Sequence, residues 1–184
     1  NRGYWERLET GELTREQVML GRFHEFFESE GLPTDQVKVF NDEYQIRLGD
    51  KAFFCDHGDE LVKQLKATVK QYAVTNGTTV AQERKLRCSG LYQLLDGVFI
   101  AEQLGVDKPQ KAFFDAVWNE IGSYAPDEVV IVGDSLTSDI RGGKNAGILT
   151  CWYNPDHLPN KIEVTPDCTI DNRQDILSYL DESR

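Results

Sequence analysis

Positive charge is scarce in this 184-residue chain: 20 Lys and Arg stand against 31 Asp and Glu, a net charge of −11. A protein that grips a nucleic-acid backbone needs a basic face, so no nucleic-acid polymer is expected as partner. A small anionic substrate stays compatible, because a local site can be cationic inside an acidic protein. Histidine is scarce too. His24, His57 and His157 are scattered, which argues against a histidine-based zinc site. The four cysteines, Cys55, Cys88, Cys151 and Cys168, show no Cys-x-x-Cys spacing, and free thiols in a reducing cytoplasm are expected. No apolar run approaches the roughly 18 residues of a membrane span, and no leader pattern is recognised. A cytoplasmic protein with no membrane partner is therefore expected, as a monomer or homodimer. The first residue is Asn, not Met, and it enters a helical pattern at once; the true beginning is expected upstream.

What is present has the ordinary apolar content of a globular protein, 40%. Residues 1–54 read as helices. Tyr4, Trp5 and Leu8 share a face of the first. Thr14 with Gln17 forms a capping box for the second, with Val18, Phe23, Phe26 and Phe27 as its apolar side. A third runs from about Asp35 to Leu48. From residue 55 to 184 helices and strands alternate: a helix near 58–70, a strand at Tyr72–Val74, a helix at 80–88, a strand at 97–101 and a helix opening at Pro109. The strand Val129–Val132, read as buried, follows. A strand at 149–153, a short one near 168–170 and a helix from about Arg173 to Leu180 complete the pattern. Such alternation predicts an α/β core with a parallel, Rossmann-like sheet.

The chemistry gathers at strand ends, where ligands bind in open α/β sheets. Gly133-Asp134 closes the Val129–Val132 strand. Asp139 follows five residues later, with Ser138 a candidate helix cap. Two carboxylates on one short loop suit Mg²⁺; they also read as a turn residue and a first-turn acid favouring the helix dipole. Thr75-Asn76-Gly77 follows another strand and is suited to gripping a phosphate through its hydroxyl and backbone N–H groups, or forms a plain Asn-Gly turn. Lys108, before Pro109, is electrostatically misplaced at a helix start unless an anion answers it; otherwise it is a solvated lysine.

Taken as an ordered set, these residues resemble the haloacid dehalogenase-like (HAD) hydrolases. Val74-Thr75-Asn76-Gly77 is similar to that superfamily's second motif, Lys108-Pro109 to its third, and Gly133-Asp134 with Asp139 to its fourth. The chain further resembles the noncanonical pyrimidine nucleotidase branch, which are 5′-nucleotidases. That likeness rests on Trp5 with Glu9 and Gly11, Arg22-Phe23, Gln82 with Leu86, Glu102, Gly133-Asp134-Ser135 and Cys151-Trp152 with Asn154-Pro155. It runs essentially end to end.

The resemblance implies a helical cap over residues 1–54 on a HAD-like core over 55–184. It implies a Mg²⁺-dependent phosphomonoesterase acting on nucleoside monophosphates through an aspartyl-phosphate. Thr75, Lys108 and Asp134 would be catalytic. Thr75, Asn76, Gly77 and Lys108 would hold the phosphate, and Asp134 and Asp139 the metal. Asn1, Trp5, Arg22 and Phe23 would meet the leaving group, although Trp5 and Phe23 also read as core of the cap. The superfamily's first motif, Asp-x-Asp-x-Thr, is absent. No Asp-x-Asp occurs anywhere in the chain, and Asp56 is a poor imitation. The family's first strand, which carries the nucleophile between the strands of Thr75 and Asp134, is therefore expected upstream of Asn1. Omitting it should expose strand edges. A sugar-phosphate or phosphoglycolate phosphatase, a dehalogenase of the same fold and a non-catalytic HAD-like protein remain the alternatives.

Overall fold

The computed structural model describes residues 1–122 and 124–182, so the last two residues of the expected 55–184 unit lie outside it. Three helices open the chain. Helix α1 (Arg2–Glu9) and helix α2 (Arg15–Ser29) bury Leu8, Val18 and Met19 between them. The capping box forms as read: the Thr14 hydroxyl accepts from the Gln17 amide, and the Gln17 side chain accepts from the Thr14 amide at 2.8 Å. Phe27 is buried, but Phe26, expected beside it, is exposed. Consecutive helix residues point in different directions, so both cannot face one core. Helix α3 (Val37–Gly49) starts after a 3-10 turn at Thr34–Gln36. It crosses α2 through edge-to-face rings, with Phe23–Phe40 and Phe23–Tyr44 centroids both 5.0 Å apart.

Strand and helix then alternate. Helix α4 (Gly58–Leu65) is shorter than the sequence suggests. After it come β1 (Tyr72–Thr75), α5 (Thr79–Cys88), β2 (Gly97–Ile100), α6 (Ala101–Leu104) and α7 (Lys111–Ile121). Next are β3 (Val130–Gly133) and a π-helical turn at Leu136–Ile140 that runs into α8 (Arg141–Ala146). Strands β4 (Leu149–Tyr153) and β5 (Cys168–Ile170) and helix α9 (Asp175–Glu182) follow. Among the described residues every strand pair is parallel, the α/β class that the alternation predicts.

The strands form two sheets, β1-β2 and β3-β4-β5, and among the described residues no strand pair joins them. Packing joins them instead. Phe99 of β2 and Ile131 of β3 meet Phe113, Phe114 and Val117 of α7 in one core. Burying a phenylalanine such as Phe113 contributes roughly 2–3 kcal/mol. A second core places Leu61 of α4 and Ile176 of α9 on Cys151 and Ile170.

Two expectations need correction. Of the Val129–Val132 run, read as buried, only Ile131 is buried; Val132 is 43% exposed. Val132 stands on a sheet face that lines a cavity of about 1050 Å³, together with Leu61 of α4 and Trp152 and Tyr153 of β4; among the described residues β3 pairs only with β4. The cysteines are not all free thiols either. Cys151 and Cys168 are register partners on β4 and β5, with Cα atoms 4.7 Å apart, and form a disulfide; Cys55 and Cys88 are free and exposed. Parallel pairing makes neighbours of residues 17 positions apart, which sequence spacing does not reveal.

Candidate active site

Strands β1 and β3 both end where the site residues begin. Beyond β1, the Thr75 hydroxyl accepts from the Gly77 amide at 3.0 Å and keeps its own O–H free to donate. Thr78 caps α5 by accepting from the Ala81 amide. Asn76 is locked to Lys108 twice: its Nδ2 donates to the Lys108 carbonyl and its Oδ1 accepts from the Lys108 amide, both at 2.9 Å.

Lys108 and Pro109 do not open a helix as expected. Helix α7 begins at Lys111 behind a Gln110 cap, and the Lys108–Pro109 peptide is cis. The cation is answered all the same. Lys108 Nζ donates to Asp139 Oδ1 at 2.6 Å and to the Val74 carbonyl at 2.9 Å, with its side chain only 6% exposed. It thereby ties β1 to the loop after β3. A buried ion pair of this kind costs desolvation, and Asp139 and the Val74 carbonyl compensate it.

On the acidic loop the cap is Ser135, not Ser138: its Oγ accepts from the Ser138 amide at 3.1 Å. Asp139 turns back, and its Oδ2 accepts from the Ser135 amide at 3.2 Å. This return explains Gly133. A Cβ there would lie 2.3 Å from the Asp139 carboxyl carbon. Asp134 is exposed, and its backbone carbonyl accepts from Trp152 Nε1 at 3.1 Å. These donors fit Mg²⁺. They are all oxygen, and Mg²⁺ takes one or two protein carboxylates plus waters and substrate oxygens. Asp134, exposed on the larger cavity, would be the residue to hold such an ion directly. Asp139, with both oxygens already engaged, would act through water.

A second cavity, about 350 Å³, is walled on one side by Thr75, Asn76 and Gly77 and on the other by Asn1, Trp5, Glu9, Arg22, Tyr44 and Gln45. Arg22 is the one arginine among the described residues that line it. Its guanidinium sits 4.5 Å from the Phe23 ring centroid, 5.4 Å from Tyr44 and 5.9 Å from Trp5, and donates to Asn1 Oδ1 at 2.9 Å. Its Nε is buried with no partner among the described residues. Phe23 is not on the cavity wall; its ring packs on Phe40 and Tyr44. The structure thus gathers Thr75, Asn76, Gly77, Trp5 and Arg22 around one cavity. Asp134 faces the larger one, and Lys108 and Asp139 lie buried between their loops. Asp56 is bound to Tyr153 and Arg173.

Some residues at the site carry no motif. Gln45 is buried and accepts from the Thr78 hydroxyl at 2.9 Å. Arg15 donates to the Asn76 carbonyl at 2.9 Å and pairs with Asp107. A cation at the first position of a helix, opposed by the dipole, was the available signal. Glu9 accepts from the Thr137 hydroxyl. Burial raises the Glu9 pKa, and Asp139's charge adds to that, against the hydroxyl bonds from Thr137 and Ser138 that lower it.

The model of the haloacid dehalogenase-like hydrolase family matches residues 2–147, and this chain belongs to that family. Among relatives, the chain is 34% identical to pyrimidine 5′-nucleotidase PynA of Streptococcus pneumoniae over 184 residues, all of this chain and 77% of that protein. It is 29% identical to pyrimidine 5′-nucleotidase YjjG of Escherichia coli over 180 residues, 98% of this chain and 79% of that one. A crystal structure of YfnB from Bacillus subtilis bound to magnesium superposes with a TM-score of 0.91 at 34% identity, covering 97% of this chain and 78% of that one. The chain is a HAD-family hydrolase related to nucleotidases.

Proposed function

We propose that this chain forms the phosphate-gripping, cationic and metal-binding parts of a Mg²⁺-dependent 5′-nucleotidase acting on pyrimidine nucleoside monophosphates. One observation carries the reading: the Thr75-Asn76-Gly77 loop, Lys108 and the Asp134–Asp139 loop are bonded into a single unit, through Asn76–Lys108 and Lys108–Asp139. In this reading residues 1–54 cap a core of residues 55–184, and the 350 Å³ cavity between them takes the substrate. The Thr75 hydroxyl and nearby amides donate to phosphoryl oxygens. Lys108 neutralises charge that builds up as the phosphoryl group transfers. Asp134 holds Mg²⁺, which when bound supplies further neutralisation of that charge. Arg22, whose side chain lines that cavity, donates to a carbonyl of the base, and Trp5 and Tyr44 offer it aromatic faces.

The reaction also needs a nucleophile, and we propose that its carboxylate stands between β1 and β3. There it attacks phosphorus as the P–O bond to the nucleoside breaks and the nucleoside 5′-oxygen takes up a proton; water, giving up a proton, then attacks the acyl-phosphate and releases phosphate and the free carboxylate. The edge of β3 that has no strand partner among the described residues supports that position. The relatives named as pyrimidine 5′-nucleotidases support the substrate class, and the magnesium-bound YfnB structure supports the metal.

A panel of pyrimidine and purine 5′-monophosphates, sugar phosphates and phosphoglycolate tests this, with phosphate release measured under excess Mg²⁺. Preference for pyrimidine monophosphates supports the reading. Preference for sugar phosphates or phosphoglycolate, or release from none, contradicts it.

A further inference from the structure

Two side chains of opposite charge flank the turn between α1 and α2, and each reaches a different half of the site. Glu9, the last residue of α1, accepts from the Thr137 hydroxyl and, at 3.5 Å, from Ser135 Oγ. Those hydroxyls lie on the acidic loop, where the Ser135 amide holds Asp139. Arg15, the first residue of α2, donates to the carbonyls of Asn76 at 2.9 Å and Gly77 at 3.4 Å and pairs with Asp107 beside Lys108. Arg15 and Asp107 are about four-fifths buried, with side chains 20% and 17% exposed. This is unlike the exposed pairs of the surface, which contribute little.

The turn joining them is stiff. The amides of Glu12 and Leu13 both donate to the Arg7 carbonyl, at 2.8 and 3.1 Å. The Thr14–Gln17 box closes its far side. The two loops sit on sheets that share no strand pair among the described residues. Besides Lys108, this turn spans them at the site.

We propose that Glu9 and Arg15 are positioning residues: from one rigid turn they clasp the acidic loop and the phosphate loop and fix the separation between them. The claim deepens the nucleotidase reading, and its kinetic half rests on that reading. Its structural half does not.

Amide hydrogen exchange on the intact protein, without ligand, tests it. Glu9→Ala should raise exchange of the Ser135–Asp139 amides on the order of tenfold and should also loosen Asn76 and Gly77, because the turn is shared. Arg15→Met should do the reverse and likewise reach the acidic loop. Amides of β4 should stay protected in both. Each variant loosening only its own loop, or neither, overturns the clasp. Should either variant loosen β4 as well, Glu9→Met and Arg15→Leu, which fill the space but make no such polar bonds, decide by the same criterion. In steady state with p-nitrophenyl phosphate and Mg²⁺, both variants should lower kcat more than they raise KM. Coupled loops in a protein that hydrolyses no phosphomonoester would overturn the nucleotidase reading and leave the clasp standing. Uncoupled loops in an active nucleotidase would do the opposite.

Discussion

Lys108 joins structure and chemistry in one side chain. It bonds the Val74 carbonyl and the Asp139 carboxylate while nearly excluded from water. Lys108→Met would leave Asp139 buried without its counter-charge, a loss of about 3–5 kcal/mol, read by urea unfolding, together with loss of phosphate release. An unfolding midpoint equal to that of the parent would contradict the pairing. Arg22 makes a separate prediction. Arg22→Ala should raise KM for a pyrimidine monophosphate roughly tenfold and leave KM for p-nitrophenyl phosphate, which has no base, nearly unchanged; equal effects on both would remove Arg22 from base recognition. The sequence made Lys108 legible as a cation in need of an anion, but not its partner. That it is Asp139 depends on a return of the acidic loop that only Gly133 permits. Arg15 and Gln45 were not legible, because their partners are backbone carbonyls or residues about 30 or more positions away.

At the scale of elements, β4 and β5 are held by more than their ladder. Asp167 accepts from the Thr150 amide and hydroxyl, both at 2.8 Å, and from Lys144 at 2.6 Å. Burial pushes the Asp167 carboxyl up, but the Lys144 and Thr150 bonds outweigh it and hold its pKa below the usual 3.8. A depressed carboxylate contributes stability above its unfolded value, and that contribution is lost as pH falls through the folded value. Asp167→Asn should therefore be less stable near neutrality by roughly 1 kcal/mol, and should lose less than the parent below pH 3.8. Parallel acid-denaturation curves would contradict this. The disulfide beside it predicts that denaturation without reductant exposes two titratable thiols, Cys55 and Cys88; four would contradict it. Element types were largely legible, since capping, alternation and glycine stops are local. What was missed is non-local: the strand register that pairs Cys151 with Cys168, and the open sheet face that exposes Val132.

At the scale of the molecule, two parallel sheets share one core through α7 and one polar unit through Lys108. The family follows from the matching model and relatives. The activity rests on whether the two strand-end loops act together on a phosphate with a metal at Asp134. Phosphate release from uridine monophosphate, titrated with Mg²⁺ and reversed with EDTA, in the parent and in Asp134→Asn, tests this most directly. The account predicts release that saturates with Mg²⁺, stops with EDTA and falls at least about a hundredfold in Asp134→Asn. Release unaffected by EDTA, or an Asp134→Asn variant as active as the parent, would contradict it.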